Sequence, residues 1–260
     1  MAGGTIFLTG APASGKTTLG GRLAAALGAE FADLDAEIVR AAAGVAIPAI
    51  FQTEGEAGFR ARERAALAAL VARPCCPRVI ALGGGTLLDP ANRAICEGAG
   101  AVLCLETPSE GELARRIGAA AGTRPLGDRA QERAAHYASF PRRIAASFDL
   151  GDSLVVVGSS IAAPLLGEVP YVIDGNLARI LSEGSRSCAT AFRTPPILTL
   201  PSGEEHKTIA TVASIWSAMA RAGLGRRDRV AAVGGGVTGD LTGFAAATWM
   251  RGIPFVQVPI

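Results

Sequence analysis

The sequence predicts an α/β fold in which parallel sheets are covered by helices on both faces. Three observations carry that expectation. Short apolar runs of strand-like period alternate with helically spaced apolar residues along the whole chain. The first run feeds directly into a glycine-containing turn and then an amphipathic helix. Of 260 residues, 49% are hydrophobic, 18% charged and 33 are glycine, a composition that excludes disordered and disulfide-scaffold classes.

The elements follow in order. Thr5 to Thr9 is a short apolar strand that stops at Gly10. After Lys16, Leu19, Leu23 and Leu27 recur at helical spacing, and the helix ends near Gly28. A second strand is expected around Phe31, and further buried strands at Arg78 to Leu82, Ala101 to Leu105, Leu154 to Val157, Tyr171 to Ile173, Ile197 to Leu200, Arg229 to Val233 and Pro254 to Val258. Thr107-Pro108-Ser109-Glu110 marks a helix start, a capping box with proline at the first helical position. An arginine-rich segment gives way to a new apolar strand at Asp149 to Ser153, dividing the chain into modules 1–150 and 153–260. No tandem repeat or low-complexity tract is present.

A net charge of +2 gives no argument for nucleic acid or an anionic membrane as partner. The five cysteines (Cys75, Cys76, Cys96, Cys104 and Cys188) form no Cys-x-x-Cys pair and read as small core residues of a reducing compartment. The N-terminus has no basic region followed by a signal-like apolar run. The apolar tail from Gly243 is interrupted by Arg251, Gly252 and Pro254 and does not read as a membrane span. A cytoplasmic location is the expectation.

Chemistry enters at Gly10-Ala-Pro-Ala-Ser-Gly-Lys16-Thr17, which satisfies G-x-x-x-x-G-K-[ST] between a strand and a helix. Backbone N–H groups of such a loop turn inward around phosphate oxygens, and the helix N-terminus adds favourable potential. Lys16 would reach the β- and γ-phosphates and the Thr17 hydroxyl would ligate Mg²⁺. The motif predicts nucleotide binding and leaves the phosphate acceptor open.

Four features address the acceptor. Asp33 and Asp35 are two apart, so in an extended segment both carboxylates face one site, where they would hold a metal's water shell and orient a hydroxyl. The same pair also suits a helix start. In Gly58-Phe59-Arg60-Ala-Arg62-Glu63, an arginine would clamp a carboxylate bidentately; taken alone, the run reads more often as a solvated helix face of Arg–Glu pairs. Gly83, Gly84 and Gly85 directly follow an apolar strand, which lets backbone approach a ligand closely and leans towards a binding edge; an ordinary tight turn is the alternative. Arg124-Pro125-Leu126 and Arg133-x-x-x-Tyr137 supply arginines that would fold over a nucleotide or lie on a solvated helix.

Taken together, GAPASGKTT, FADLDAEI, EGEAGFRARE, ALGGGTLL, LETP, TRPL and RAAHY resemble shikimate kinase over residues 4 to 148. The resemblance implies a P-loop NTPase-type parallel sheet flanked by helices and ATP-dependent phosphorylation of the shikimate 3-hydroxyl with Mg²⁺. It implies ATP contacts from Ala13, Ser14, Gly15, Lys16, Thr17 and Thr18, with Arg124 as the lid arginine. Asp35 matches the carboxylate at the accepting hydroxyl, and Asp33, with Thr17, the metal side. Arg60 and Arg133 match the arginines that grip the shikimate carboxylate, and Gly84 the substrate-contacting glycine. Two departures from the family pattern stand out: the interval from Arg124 to Arg133 is shorter than the usual lid, and the closing strand and helix after Tyr137 are compressed.

From Leu154 onward the residues resemble 3-dehydroquinate synthase, through LPSGEEHKT, VGGGVTGD and GFAAATWMRGIPFVQVP. That resemblance implies a Rossmann-like partial domain with an NAD site lined by Ser202, Gly203, Glu204, Glu205, His206 and Lys207 and by Gly236, Val237, Thr238, Gly239 and Asp240. The family's Zn²⁺ ligands and most of its substrate-binding residues lie in a helical domain beyond Ile260. The synthase-like half as given is therefore expected to bind NAD without turnover. Two other outcomes stay open at this point: a protein whose remaining property is NAD binding, and a non-catalytic nucleotide-binding module.

Overall fold

The computed structural model describes residues 5–73, 77–106, 133–149, 154–159, 162–166, 168–183 and 194–259. Expectations for the 107–110 helix start, Arg124 with its neighbours, Cys75, Cys76 and Cys188 fall outside them. The chain forms two compact units, Met1–Ile161 and Ala162–Ile260.

The first unit opens with strand β1 (Thr5–Gly10), helix α1 (Lys16–Leu27), β2 (Glu30–Asp33), α2 (Leu34–Ala41) and α3 (Ile47–Ala72). It continues with β3 (Arg78–Ala81), α4 (Pro90–Ala99), β4 (Gly100–Leu105), the single-turn α5 (Ala134–Ala138), β5 (Arg143–Asp149) and β6 (Leu154–Ser159). The sheet order is β2-β3-β1-β4-β5-β6, parallel throughout except for β6. Phe7, Ile80 and Val102 point into one core with Leu34, Ile38, Phe59, Leu67 and Leu70 from α2 and α3. α1 packs on the opposite face, where a Cβ on Gly20 would lie 3.4 Å from Leu8 Cδ1. Both faces are thus apolar, which is why these strands read as unbroken hydrophobic runs.

Two sequence expectations need correction. β5 was not foreseen, because Arg143-Ile-Ala-Ala-Ser-Phe-Asp149 lacks the continuous apolar run of its neighbours. It pairs with β4 only through Cys104↔Arg143 and Leu105↔Ile144, so little of it needs burial on both faces. Leu154–Ser159 was assigned to the second module, yet it pairs antiparallel with β5, Asp149 opposite Leu154. Only four positions separate the strands, too few for a parallel crossover, so a hairpin is the geometry available. The division between units moves accordingly, from residues 150–153 to Ile161/Ala162.

α3 is interrupted at Gly55, whose φ of 69° and ψ of −173° break the helix into two segments. That conformation is costly for any residue with a Cβ. The kink separates an apolar N-terminal turn from the segment that carries Arg60 and Glu63.

The second unit contains α6 (Ala162–Leu166), β7 (Tyr171–Asp174), α7 (Gly175–Glu183), β8 (Leu198–Leu200), α8 (Ile209–Arg221), β9 (Val230–Gly234), α9 (Gly236–Thr248) and β10 (Phe255–Pro259). Its parallel sheet runs β10-β9-β7-β8. Val172 and Val230 pack with Ile215 and Met219 of α8 on one face, while Tyr171, Ile173 and Val233 pack with Leu177 of α7 on the other. No described helix is long and apolar enough to cross a membrane.

Candidate active site

In the first unit the described functional candidates gather at the carboxyl ends of the parallel strands, where open α/β sheets present their ligand crevice. β1 ends at Gly10 and the loop runs through Ala13 (φ 58°) and Gly15 (φ 95°) into α1, whose N-terminus has no side-chain cap. Lys16 Nζ donates to the Gly10 carbonyl at 2.9 Å and the Ala11 carbonyl at 2.7 Å. Burial pulls its pKa down to about 8, against the opposing pull of the Asp35 and Asp33 carboxylates. Ser14 is buried and its hydroxyl has no hydrogen-bond partner among the described residues, while Thr17 and Thr18 are exposed in the first turn.

Asp33 ends β2 and caps α2, its Oδ1 accepting from the Asp35 and Ala36 N–H groups at 3.0 and 3.3 Å. Its Oδ2 accepts from the Thr17 hydroxyl at 2.7 Å. The extended geometry expected for Asp33-Leu34-Asp35 is not found. Asp35 is already helical, because Asp33 supplies the N-cap and turns the chain one residue earlier. Both carboxylates nevertheless act on Lys16.

The three glycines after β3 serve as a ruler across the acceptor region. A Cβ built on Gly83 would lie 3.2 Å from Asp35 Oδ1 and 3.3 Å from Glu63 Oε1. One on Gly84 would lie 3.1 Å from Pro12 Cδ of the phosphate loop. One on Gly85 would lie 3.1 Å from Arg60 Nη2 and 3.4 Å from Arg133 Nη2. A short backbone stretch therefore has two carboxylates at one end, Asp35 and the Arg60-paired Glu63, and two guanidinium groups at the other. Beside Gly85 opens a cavity of about 560 Å³ lined by Arg60, Arg133, Glu56, Arg64, Leu88 and Asp89.

Arg60 is held from below. Its Nη1 donates to Glu63 Oε2 at 2.6 Å, and Glu63, only 1% exposed, accepts a second bond from the Thr86 hydroxyl at 2.7 Å. Thr86 is fixed in turn by buried Asn92, whose Nδ2 donates to the Thr86 carbonyl at 3.1 Å. On the solvent side Arg60 Nη2 meets Glu56 at 3.5 Å. The Arg–Glu pairing anticipated as an alternative is thus present, with one of its carboxylates inside the protein.

In the second unit β7 and β9 are neighbours from which the sheet continues in opposite directions, and their carboxyl ends meet at Asp174 and Gly234. Asp174 Oδ1 accepts from the Asn176 and Leu177 N–H groups, and its Oδ2 from the Ser202 hydroxyl at 2.8 Å. A Cβ on Gly234 would lie 2.8 Å from Asp174 Cβ, whereas Gly235 and Gly236 face open space. Lys207 Nζ bridges Glu204 at 3.0 Å and Asp240 at 2.9 Å, joining two motif segments; the bond to Asp240, then that to Glu204, raises its pKa. Gly203 precedes a one-turn Glu204–His206 helix in which His206 Nε2 lies 3.7 Å from Glu205. Val237, Thr238 and Gly239 form the first turn of α9, and the buried Thr238 hydroxyl has no protein partner. Among the described residues no group of three or more His, Cys, Asp or Glu side chains is placed to hold a metal.

The shikimate kinase family model matches residues 12–148, more than half of the chain. The chain belongs to the shikimate kinase family. The model of the 3-dehydroquinate synthase N-terminal region matches residues 197–260. A bifunctional shikimate kinase/3-dehydroquinate synthase of Thermotoga maritima is 32% identical over 95% of this chain and 53% of its own length. A shikimate kinase of Salinibacter ruber is 49% identical over 44% of this chain and 54% of its own length. A 3-dehydroquinate synthase of Pelobacter propionicus is 44% identical over 36% of this chain and 27% of its own length. The chain spans about half the length of the first two relatives.

Within this shikimate kinase framework the fold brings Lys16, Asp33, Asp35, Arg60, Gly84 and Arg133 to one sheet edge; Arg124 lies outside the described residues. Sequence reasoning passed over Glu63, Thr86 and Asp174. Glu63 was on the page only as a helical partner of arginine, and nothing in its spacing reveals its burial. Asp174 had a usable signal, an acidic residue between a strand and a helix.

Proposed function

We propose that the first unit transfers the γ-phosphoryl group of ATP to the 3-hydroxyl of shikimate. The observation that carries this is the glycine ruler: Asp35 at Gly83 and the Arg60–Arg133 pair at Gly85, beside the phosphate loop. A ligand matching that spacing has a hydroxyl for a carboxylate to orient and an anionic carboxylate for two guanidinium groups. The sequence match to shikimate kinases supports shikimate among such hydroxy acids.

In this reading Ala13, Ser14, Gly15, Thr17 and Thr18 surround the phosphates with loop and helix N–H groups. Lys16 exchanges its bonds to the Gly10 and Ala11 carbonyls for phosphate oxygens and regains full charge as it does so. Asp35 aligns the hydroxyl and takes up its proton. Arg60 and Arg133 hold the substrate carboxylate, Gly84 permits close approach, and Arg124 closes over the nucleotide. The paired Thr17 hydroxyl and Asp33 carboxylate are hard oxygen donors suited to Mg²⁺, directly and through water. The metal, when bound, neutralises charge on the phosphates. An ATP-consuming reaction of this kind fits a cytoplasmic setting.

Phosphorus NMR of the purified chain with ATP, magnesium and shikimate tests the reading. A new phosphomonoester resonance whose growth matches ADP formation is expected; ADP and inorganic phosphate alone would refute it.

For the second unit we infer a dinucleotide site, NAD by resemblance, at the meeting of β7 and β9. The open space before Gly235 and Gly236 at the start of α9 supports a pyrophosphate there. Ser202 to Lys207 and Val237 to Asp240 border the same edge. Calorimetric titration with NAD tests it, and absence of heat together with absence of protection against thermal unfolding would count against it.

A further inference from the structure

Tyr137 has no part in the reaction as described, yet it lies where the acceptor elements meet. Its ring is buried in the first core, 5% exposed, with Phe140 and Cys104. Its hydroxyl donates to the Gly84 carbonyl at 2.6 Å. A phenol has one proton to give, and here it goes to Gly84, while the Arg133 guanidinium lies at the neighbouring glycine, where a Cβ on Gly85 would be 3.4 Å from its Nη2. Arg133 and Tyr137 are one helical turn apart, closed by the Tyr137 N–H to the Arg133 carbonyl at 3.0 Å.

We propose that Tyr137 is a positioning residue that holds the Gly84–Gly85 peptide and the Arg133 guanidinium in one arrangement for the acceptor carboxylate. This rests on the shikimate kinase reading given above. A trans peptide directs its C=O and N–H groups in opposite senses. Anchoring the Gly84 carbonyl therefore also fixes the direction of the Gly85 N–H, beside the cavity. On the phosphate-loop side there is room for a glycine only, since a Cβ at Gly84 would meet Pro12 Cδ at 3.1 Å and the Gly10 carbonyl at 3.4 Å. Two elements distant in sequence, the glycine turn and α5, are thereby joined through one hydroxyl.

Tyr137→Phe in the full chain removes that hydroxyl and keeps the ring. The expected result is a rise of about five- to tenfold in the KM for shikimate, the weight of one buried hydrogen bond, with the KM for ATP changed less than about twofold. In an Arg133→Ala background the same substitution adds little, because the group it positions is gone. An unchanged shikimate KM, an equal loss of ATP affinity, or full additivity with Arg133→Ala would each overturn the proposal. Thermal unfolding of the variants checks folding; a Tyr137→Phe chain that unfolds globally would make the hydroxyl a stabilising group and also overturn it. No shikimate-dependent turnover by the unaltered chain would remove the proposed reaction itself, a separate and recognisable failure.

Discussion

Arg60 Nη1 and Glu63 Oε2 are joined at 2.6 Å, the guanidinium reaching the cavity while the carboxylate is sealed in the core. One turn of α3 thus connects a site cation to a buried anion, and the anion is satisfied from its other side by Thr86. The arginine is pre-set before any substrate arrives, which lowers the ordering cost of binding.

Glu63→Ala should therefore harm both stability and affinity. It strips Thr86 and Arg60 of a partner inside the protein, and a loss of about 1–3 kcal/mol in urea unfolding is expected. The KM for shikimate rises in the same variant as Arg60 loses its fixed orientation. A variant as stable as the parent with unchanged KM would contradict the pairing.

Asp35→Asn separates acceptor chemistry from nucleotide binding. Its Oδ1 lies by Gly83, on the acceptor side of the loop. Turnover should fall by about a hundredfold or more, the usual weight of a general base, with ATP affinity nearly intact. Equal loss of ATP affinity in a direct binding titration would contradict this placement.

Lys16 gives a pH dependence. Burial holds its pKa near 8, below the ordinary 10.5, and a bound phosphate restores the charge. ATP binding above that pH takes up a proton, so affinity declines with rising pH, with a limiting slope of about one decade per unit. Folding stability has the opposite sign: the unfolded lysine holds its proton more tightly, so its contribution rises between about 8 and 10.5. Nucleotide titrations at neutral and alkaline pH, with Lys16→Met as control, check this. Flat affinity in the parent chain would contradict it.

In the second unit, Gly234 combines φ 153° with a Cβ position 2.8 Å from Asp174 Cβ. Gly234→Ala should lower the stability of that unit by about 1–3 kcal/mol and abolish NAD binding by pushing Asp174 aside. Denaturant unfolding followed by Trp216 and Trp249 fluorescence reads the first effect. An unshifted transition would contradict the close approach.

Much of this was legible beforehand, for identifiable reasons. β1, β3, β4 and β9 are covered on both faces, so their apolar runs are continuous and stand out at any reading frame. α1 announced both ends, through the phosphate-loop lysine and through Gly28 in a left-handed cap (φ 61°). β5 is hard to see in the sequence because only two of its positions pair with β4 and its run carries few large apolar residues. β6 reads in the sequence as a new start, because its antiparallel partner β5 is not visible there. At the site, Lys16, Asp33 and Arg60 could be named from motif and spacing. Glu63 and Tyr137 could not be given roles, since burial and a bond across 53 positions to the Gly84 carbonyl are properties of the folded chain.

The most direct test is ADP release by the purified chain with magnesium and ATP, measured with and without shikimate. A large, saturable stimulation by shikimate that Asp35→Asn abolishes is the predicted result. Release that is absent, or identical whether or not shikimate is present, would contradict the account at its centre.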